Sequence, residues 1–74
     1  MHIGRHIQRI LKSQGRMVTW LALQIPCDRT NVYLIFKKSA IDTALLEKIS
    51  IILNHNFFKD LSNELHSADK AIKR

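Results

Sequence analysis

Arg29, Thr30, Asn31 and Tyr33 form a polar cluster in the stretch TWLALQIPCDRTNVYLIF, which spans residues 19–36. The stretch otherwise contains two short apolar runs that are separated by a proline, a cysteine and an aspartate. All four side chains carry hydrogen-bonding groups, and the arginine also carries a permanent positive charge. The cluster is therefore either the ordinary solvated face of a helix or a surface that binds a polar or anionic partner.

Four histidines and one cysteine are the residues with the potential to bind a metal. His2 and His6 are spaced i, i+4, but two histidines without a nearby cysteine or carboxylate on the same face make a weak site. We interpret all four histidines as structural or solvated, and Cys27 as a small buried apolar residue. No serine, cysteine or carboxylate pair has a spacing that suggests catalysis. We expect no enzyme activity, no cofactor and no metal.

The excess positive charge lies in the first half of the chain. Residues 1–38 hold seven basic residues and one acid, a balance of +6, whereas residues 39–74 hold five of each, a balance of zero. A one-sided basic region in a compact domain is typical of a protein that binds a polyanion. A generally basic and merely soluble surface is the alternative, but it does not predict this asymmetry.

The length of 74 residues indicates one domain with a modest core, because a protein of this size buries only about 60% of the surface that its unfolded chain exposes. A deep catalytic cleft is therefore not expected. The single cysteine and the absence of a signal-like apolar segment argue against a disulfide scaffold and against export. No apolar run approaches the ~20 residues of a membrane span. We expect a soluble, cytoplasmic protein.

Helical spacing of apolar residues predicts five helices and an all-α fold. The predicted helices span residues 3–14, 18–24, 29–37, 43–53 and about 57–65. Gly15 and Pro26 are expected to end the first two helices. Asp28 and Asp42 are expected to cap the third and fourth helices through their carboxylates. Residues 67–74 have little to bury and are predicted to form a frayed tail.

The second and third predicted helices have the layout of a helix-turn-helix motif. Val32, Ile35 and Phe36 form the apolar stripe of the third helix, which leaves the polar cluster on its outward face. Residues 17–37 resemble this motif in the lambda-repressor-like family, also called Cro/C1-type or XRE-type. The positions that carry the resemblance are Leu21, Ala22, Ile25, Cys27, Val32 and Ile35. Because that family usually packs five helices, the resemblance implies a compact five-helix DNA-binding domain over residues 1–66.

The resemblance also implies a role for each residue of the polar cluster. Residues 29–37 would be the recognition helix in the DNA major groove, where Arg29, Thr30 and Tyr33 fall at positions that commonly face base edges. The positions at which phosphate contacts are expected are those of Val18, Thr19, Asn31, Lys37 and Lys38. The chemistry agrees, because arginine can bind guanine through two hydrogen bonds and each good base contact contributes about 1–3 kcal/mol of discrimination.

Pro26 departs from the family pattern. Many family members have a glycine with positive φ at this position, a conformation that proline cannot adopt. The turn between the two helices is therefore expected to be made differently in this chain.

The predicted function is sequence-specific binding of double-stranded DNA by a small transcriptional regulator, associated with the nucleoid of a prokaryotic cell. A homodimer that reads two half-sites is expected, because one domain of this size presents a small interface. The expected dimer interface consists of Phe57, Phe58, Leu61 and Leu65, which exceed what the core needs. Two alternatives stay open. The same apolar residues could bind a protein partner, as in an antitoxin that neutralises a toxin, or the basic half could bind nucleic acids, RNA included, without sequence preference.

Overall fold

The computed structural model describes the backbone of residues 1–72 and the side chains of residues 1–66. Over this range the chain is all-helical, without strands, and forms a compact globule. The helices are α1 (Ile3–Ser13), α2 (Val18–Gln24), α3 (Arg29–Lys37), α4 (Thr43–Leu53) and α5 (Phe57–Ile72). None of these described helices combines the length and the apolar character needed to cross a lipid bilayer.

The predicted bounds of α2, α3 and α4 are confirmed, whereas α1 ends at Ser13, one residue early. The predicted end of α5 near Leu65 is wrong, because its helical backbone continues to Ile72. The side chains of the predicted tail, residues 67–74, lie outside the described residues.

Among the residues whose side chains are described, twelve buried apolar residues from all five helices form the core. They are Ile3, Ile7, Leu11, Leu21, Ala22, Val32, Ile35, Phe36, Leu46, Ile49, Leu53 and Phe57. Most recur three or four residues apart, the spacing that places side chains on one face of a helix. Ile7, Val32, Ile49 and Phe57 are fully buried, at 0% exposure. The centre of the core is therefore shared by α1, α3, α4 and α5.

α1 and α3 approach each other most closely at Gly4. A Cβ atom added to Gly4 would lie 2.4 Å from the carbonyl oxygens of Ile35 and Phe36, far inside van der Waals contact. The backbone N–H of Gly4 also donates to the carbonyl oxygen of Lys38 at 2.9 Å. This bond satisfies one of the free amides at the start of α1. The absence of a side chain at Gly4 therefore sets the distance between α1 and α3.

α1 ends in the backbone geometry that is typical of a glycine after the last helical turn. Gly15 has a φ of 70°, and its N–H donates to the carbonyl oxygen of Lys12 at 2.9 Å. The N–H of Arg16 donates to the carbonyl oxygen of Leu11 at 3.2 Å. This pair of bonds is the Schellman motif, which requires positive φ at the residue that follows the cap. The role of Gly15 as the stop signal of α1 is confirmed.

The two predicted aspartate caps differ. Asp42 begins α4, and its Oδ1 accepts a hydrogen bond from the N–H of Leu45 at 2.7 Å, so this cap is confirmed. Asp28 occupies the N-cap position of α3 with extended backbone, but its side chain makes no capping hydrogen bond. The prediction for Asp28 is therefore correct in position and wrong in mechanism. His2 caps α1 instead of a typical capping residue, because its Nδ1 accepts from the N–H of Arg5 at 3.1 Å.

Candidate nucleic-acid interface

α2 and α3 are joined by a tight turn, residues 25–28. The N–H of Cys27 donates to the carbonyl oxygen of Ala22 at 3.0 Å, a bond that closes the end of α2 as in a Schellman motif. Such a closure places the intervening residue at positive φ, and that residue is Pro26, with a φ of 25°. The expectation that proline makes this turn differently is therefore wrong. Because the proline ring favours φ near −65°, the turn carries backbone strain at Pro26.

Apolar contacts hold the two helices of the motif together. Leu21 and Ala22 of α2 and Val32 and Ile35 of α3 are buried. Cys27 is half-buried in the turn and packs against this core, which agrees with its interpretation as a small apolar residue. The buried positions are those that support the predicted motif, so α3 presents its polar side outward.

The polar cluster of α3 lies at the surface. Arg29, Thr30, Asn31 and Tyr33 are exposed, and the exposed fraction of Tyr33 is 51%. The ring of Tyr33 meets the buried Phe36 edge to face, with ring centroids 6.1 Å apart and planes at 88°. This contact restricts the tyrosine ring while leaving half of the residue available to a partner.

The residues of α3 do not all point to the same side. Arg29, Tyr33 and Lys37 are spaced i, i+4 and i+8, so they form one row along the helix. Asn31 lies about 160° from Arg29 around the helix axis, at 100° per residue. Lys38 is exposed and follows the helix as its C-cap, with extended backbone. The structure thus brings Lys37 to the side of Arg29 and Tyr33 and separates Asn31 from them.

Two surface grooves border the row formed by Arg29, Tyr33 and Lys37. They share Gln8, Tyr33 and Phe36 as a common wall. Five cationic side chains line the two grooves, namely Arg5, Lys12, Arg16, Arg29 and Lys37. We call these five residues, together with Tyr33, the basic face. Arg5 and Lys12 of α1 therefore lie beside Arg29 and Tyr33, two of the predicted base-reading residues.

The start of α2 reaches the basic face as well. Val18 and Thr19 line the same groove as Arg29. Arg16 is held nearby, because its guanidinium carbon lies 4.0 Å from the ring centroid of Trp20, the geometry of a cation–π contact. Trp20 is half-buried and packs against the core.

Leu34 is a further exposed residue of α3, outside the basic face and outside the residues predicted to contact DNA. It is 49% exposed and follows Thr30 by four residues, so the two side chains are neighbours on the outward side of α3. An exposed leucine beside a threonine is suited to contact the methyl group of thymine. The signal was present in the sequence, because Leu34 falls outside the apolar stripe of α3.

The structure buries one of the four residues of the predicted dimer interface and exposes the other three. Phe57 is 0% exposed and belongs to the core, so its assignment to an interface is wrong. Phe58, Leu61 and Leu65 are 39%, 36% and 67% exposed. Their spacing of i, i+3 and i+7 places them in one row on α5. We call these three residues the α5 stripe.

A second polar cluster lies at the junction between α1 and α5. Nε2 of His6 lies 2.6 Å from Oδ2 of Asp60, and Nε2 of His55 lies 2.5 Å from the same oxygen. Burial alone would raise the pKa of the Asp60 carboxyl, but its hydrogen bonds and charge interactions with both histidines outweigh burial and hold the pKa below the ordinary 3.8. His6 therefore pairs with His55 and Asp60, and not with His2 as the i, i+4 spacing suggests.

Comparisons with protein families, with curated proteins and with solved structures found no match to this chain.

Proposed function

We propose that this chain is a lambda-repressor-like helix-turn-helix domain that binds double-stranded DNA in a sequence-specific manner and regulates transcription. The observation that carries the proposal is the basic face, in which Arg29 and Tyr33 of α3 lie beside Arg5 and Lys12 of α1. Base readout by a helix in the major groove needs hydrogen-bonding side chains and phosphate-binding cations on the same side of the domain. The basic face meets both requirements.

In the proposed complex α3 lies in the major groove with its N-terminal end toward the base edges. Arg29, Thr30 and Tyr33 read bases, and Leu34 adds an apolar contact beside Thr30. Phosphate groups are contacted by Val18, Thr19, Lys37 and Lys38. Three further cations of the basic face, Arg5, Lys12 and Arg16, also contact phosphates. Asn31, on another side of α3 from Lys37, contacts a phosphate of the opposite groove wall.

Selection of bound sequences from a random pool of duplex DNA tests this proposal. We expect a defined motif to be enriched over successive rounds, because base contacts discriminate by about 1–3 kcal/mol each. Recovery of bound duplexes without any enriched motif would instead favour nonspecific binding through charge alone. A parallel selection from single-stranded RNA separates the duplex from the RNA alternative.

The working form that we propose is a symmetric dimer through the α5 stripe. Three exposed apolar residues in one row on a helix usually mark an interaction surface. Two domains related by two-fold symmetry would place their recognition helices about 34 Å apart, so that both meet one side of the duplex. The selected DNA motif should then be an inverted repeat. A protein partner on the same stripe, as for an antitoxin, is the second candidate that this observation favours.

A charge at Phe58 tests the dimer. Phe58→Asp should give a folded monomer with much weaker binding to the inverted repeat, because an aspartate in an apolar interface is desolvated without a partner. Leu23→Asp is the matched control, since Leu23 is 77% exposed and lies on α2. Sedimentation of the unmodified protein and both variants gives the answer directly. An unmodified protein that sediments as a monomer at high micromolar concentration would contradict the dimer.

A further inference from the structure

Three potential metal ligands converge at the junction of α1 and α5. Oδ2 of Asp60 lies 2.6 Å from Nε2 of His6 and 2.5 Å from Nε2 of His55, and the three ligand atoms all lie within 4.8 Å of one another. Two imidazole nitrogens and one carboxylate oxygen are a typical ligand set for Zn²⁺. We propose that His6, His55 and Asp60 form a binding site for a divalent first-row transition metal of the Zn²⁺ class.

The fold orients the three ligands before any metal arrives. His6 comes from α1, Asp60 from the first turn of α5, and His55 from the short connection between α4 and α5. The connection is fixed because Asn54 adopts a left-handed backbone with a φ of 50°, and the N–H of His55 then donates to the carbonyl oxygen of Ser50 at 3.0 Å. The ligand from the connection is thus held by backbone structure.

The buried Phe57 supports both imidazole rings. Its ring centroid lies 5.6 Å from that of His6 and 4.7 Å from that of His55, with the rings edge to face in both pairs. An apolar wall of this kind restricts ring rotation and lowers the local dielectric, which strengthens coordination. Phe57 therefore acts as a positioning residue for the two nitrogen ligands.

The size of the cluster suits a tetrahedral ion. With bonds of about 2.0–2.2 Å to nitrogen and oxygen, ligand atoms in a tetrahedral zinc site are roughly 3.3 Å apart. The two hydrogen-bonded N···O distances are shorter than this value, whereas the two Nε2 atoms lie within 4.8 Å of each other, so the carboxylate and the rings must shift by up to about 1.5 Å to coordinate the ion. The side chains of His6, His55 and Asp60 are 16%, 30% and 25% exposed, so a solvated ion can reach them and keep one water as a fourth ligand.

Metal binding exchanges protons and transfers no electrons. Each imidazole must present an unprotonated Nε2 to the ion and carry its remaining proton on Nδ1. A proton on Nε2 is released to solvent if the ring is cationic, or replaced by one on Nδ1 if the ring is neutral. Asp60 binds as a carboxylate. Because the ion competes with protons for its ligands, binding is expected to weaken as the pH falls.

The bound ion would link α1, the α4–α5 connection and α5, and would hold the α5 stripe in a fixed position relative to the core. This inference does not rest on DNA binding, because all three ligands lie outside the basic face. A hydrogen-bonded cluster with no metal function is the competing explanation.

Titration of metal-stripped, untagged protein with Zn²⁺ and Co²⁺ distinguishes the two explanations. We expect one equivalent to bind, a rise in the thermal unfolding midpoint that EDTA reverses, and Zn²⁺-induced shifts in the imidazole NMR signals of His6 and His55 but not of His66. The NMR measurement uses the unmodified protein, so it does not depend on whether any variant folds. No binding at millimolar Zn²⁺, or shifts confined to other histidines, would overturn the proposal.

Two variants and one control sharpen the test. His55→Ala and Asp60→Asn should each weaken Zn²⁺ binding by more than about tenfold, the smallest loss that removal of an outer-shell partner usually causes. His66→Ala removes an exposed histidine outside the cluster and should bind Zn²⁺ as the unmodified protein does. Equal affinities in all four proteins would contradict the assignment. A strong thiolate absorption with Co²⁺ would also contradict it, because it would indicate Cys27 as the ligand.

Discussion

The basic face and the junction of α1 with α5 both include residues of α1, but they differ in whether their charged groups have partners within the protein. Every contact of an acidic side chain with a histidine or an ammonium group among the described residues lies at the junction, where Asp60 meets both His6 and His55, and the amino terminus of Met1 lies 2.6 Å from Oε1 of Glu64. The cations of the basic face belong to none of these pairs. Paired charges orient helices. Cations that contact no acidic group of the same protein can instead attract an external polyanion.

The two surfaces also differ in what holds α1 in place. Toward α3 the contact is made by backbone at Gly4, with almost no space between the helices. Toward α5 the contact also includes polar groups that solvent can still reach, at the His6 and Asp60 side chains and the amino terminus of Met1. The rigid contact supports the surface proposed to read DNA, and the adjustable one supports the proposed metal site. Four pairs of substitutions test the α1–α3 contact, the basic face, the turn between α2 and α3, and two helix caps, in order of decreasing expected effect.

The largest effect is expected from Gly4→Ala. Because the added Cβ would lie 2.4 Å from two carbonyl oxygens of α3, the helices must move apart, and unfolding should become easier by about 3 kcal/mol or more. Gly15→Ala is the control. An alanine Cβ at this position would meet no other atom, so its only penalty is the positive φ of 70°, which should lower the free energy of unfolding by about 1–2 kcal/mol. Denaturant unfolding measures both. Equal losses would mean that α1 and α3 are not in backbone contact.

Arg29→Ala tests the basic face itself. Binding to the selected duplex should weaken by about 1–3 kcal/mol, with a smaller loss on unrelated DNA, because a bidentate arginine–guanine pair carries sequence information. Arg9→Ala removes the same charge from an exposed position on α1 that does not contribute to the basic face. It should weaken both DNAs slightly and equally. Identical behaviour of the two variants would reassign Arg29 to phosphate.

Pro26→Gly should stabilise the protein by about 1 kcal/mol. The positive φ of Pro26 opposes the restriction of its ring, and relief of this strain should exceed the roughly 0.4–1 kcal/mol that the greater freedom of glycine in the unfolded chain costs. Pro26→Ala is the matched variant and should gain less, because its Cβ still disfavours positive φ. A thermal melt of the three proteins suffices, and a lower midpoint for the glycine variant would count against strain in the turn.

The smallest effects concern the two aspartate caps. Asp42→Ala loses the 2.7 Å hydrogen bond to the N–H of Leu45 and should cost about 1 kcal/mol. Asp28→Ala loses no side-chain capping bond and should change stability by less than about 0.5 kcal/mol. Parallel urea titrations compare the two. A larger loss at Asp28 would indicate a capping bond that forms in solution.

Local patterns predicted the helices well, because the spacing of apolar residues, Gly15 and Asp42 act within one turn of the chain. The exposed row of Arg29, Tyr33 and Lys37 followed from the buried stripe of α3. The same reasoning placed Phe57 at the surface, because the apolar residues of α5 cover more than one side and local spacing does not tell which side the core takes.

Features that depend on contacts between distant segments were missed. The role of Gly4 arises from carbonyl groups more than thirty residues away, at Ile35 and Phe36. The His6, His55 and Asp60 cluster exists only when α1 meets α5, whereas the sequence pattern drew attention to His2 and His6 on one helix. The φ of Pro26 was missed for a local reason, because the hydrogen bond from the N–H of Cys27 that closes α2 requires positive φ against the preference of proline.

The most direct test of the central claim is the affinity of the unmodified protein for its selected duplex, measured against a shuffled duplex of equal length at one physiological salt concentration. Site-specific binding through the basic face predicts an affinity ratio of about 10³ or more, together with a steep fall of both affinities as salt increases. Equal affinities for the two duplexes, with the same salt dependence, would show that the basic face attracts nucleic acid without reading its sequence, and would contradict the account.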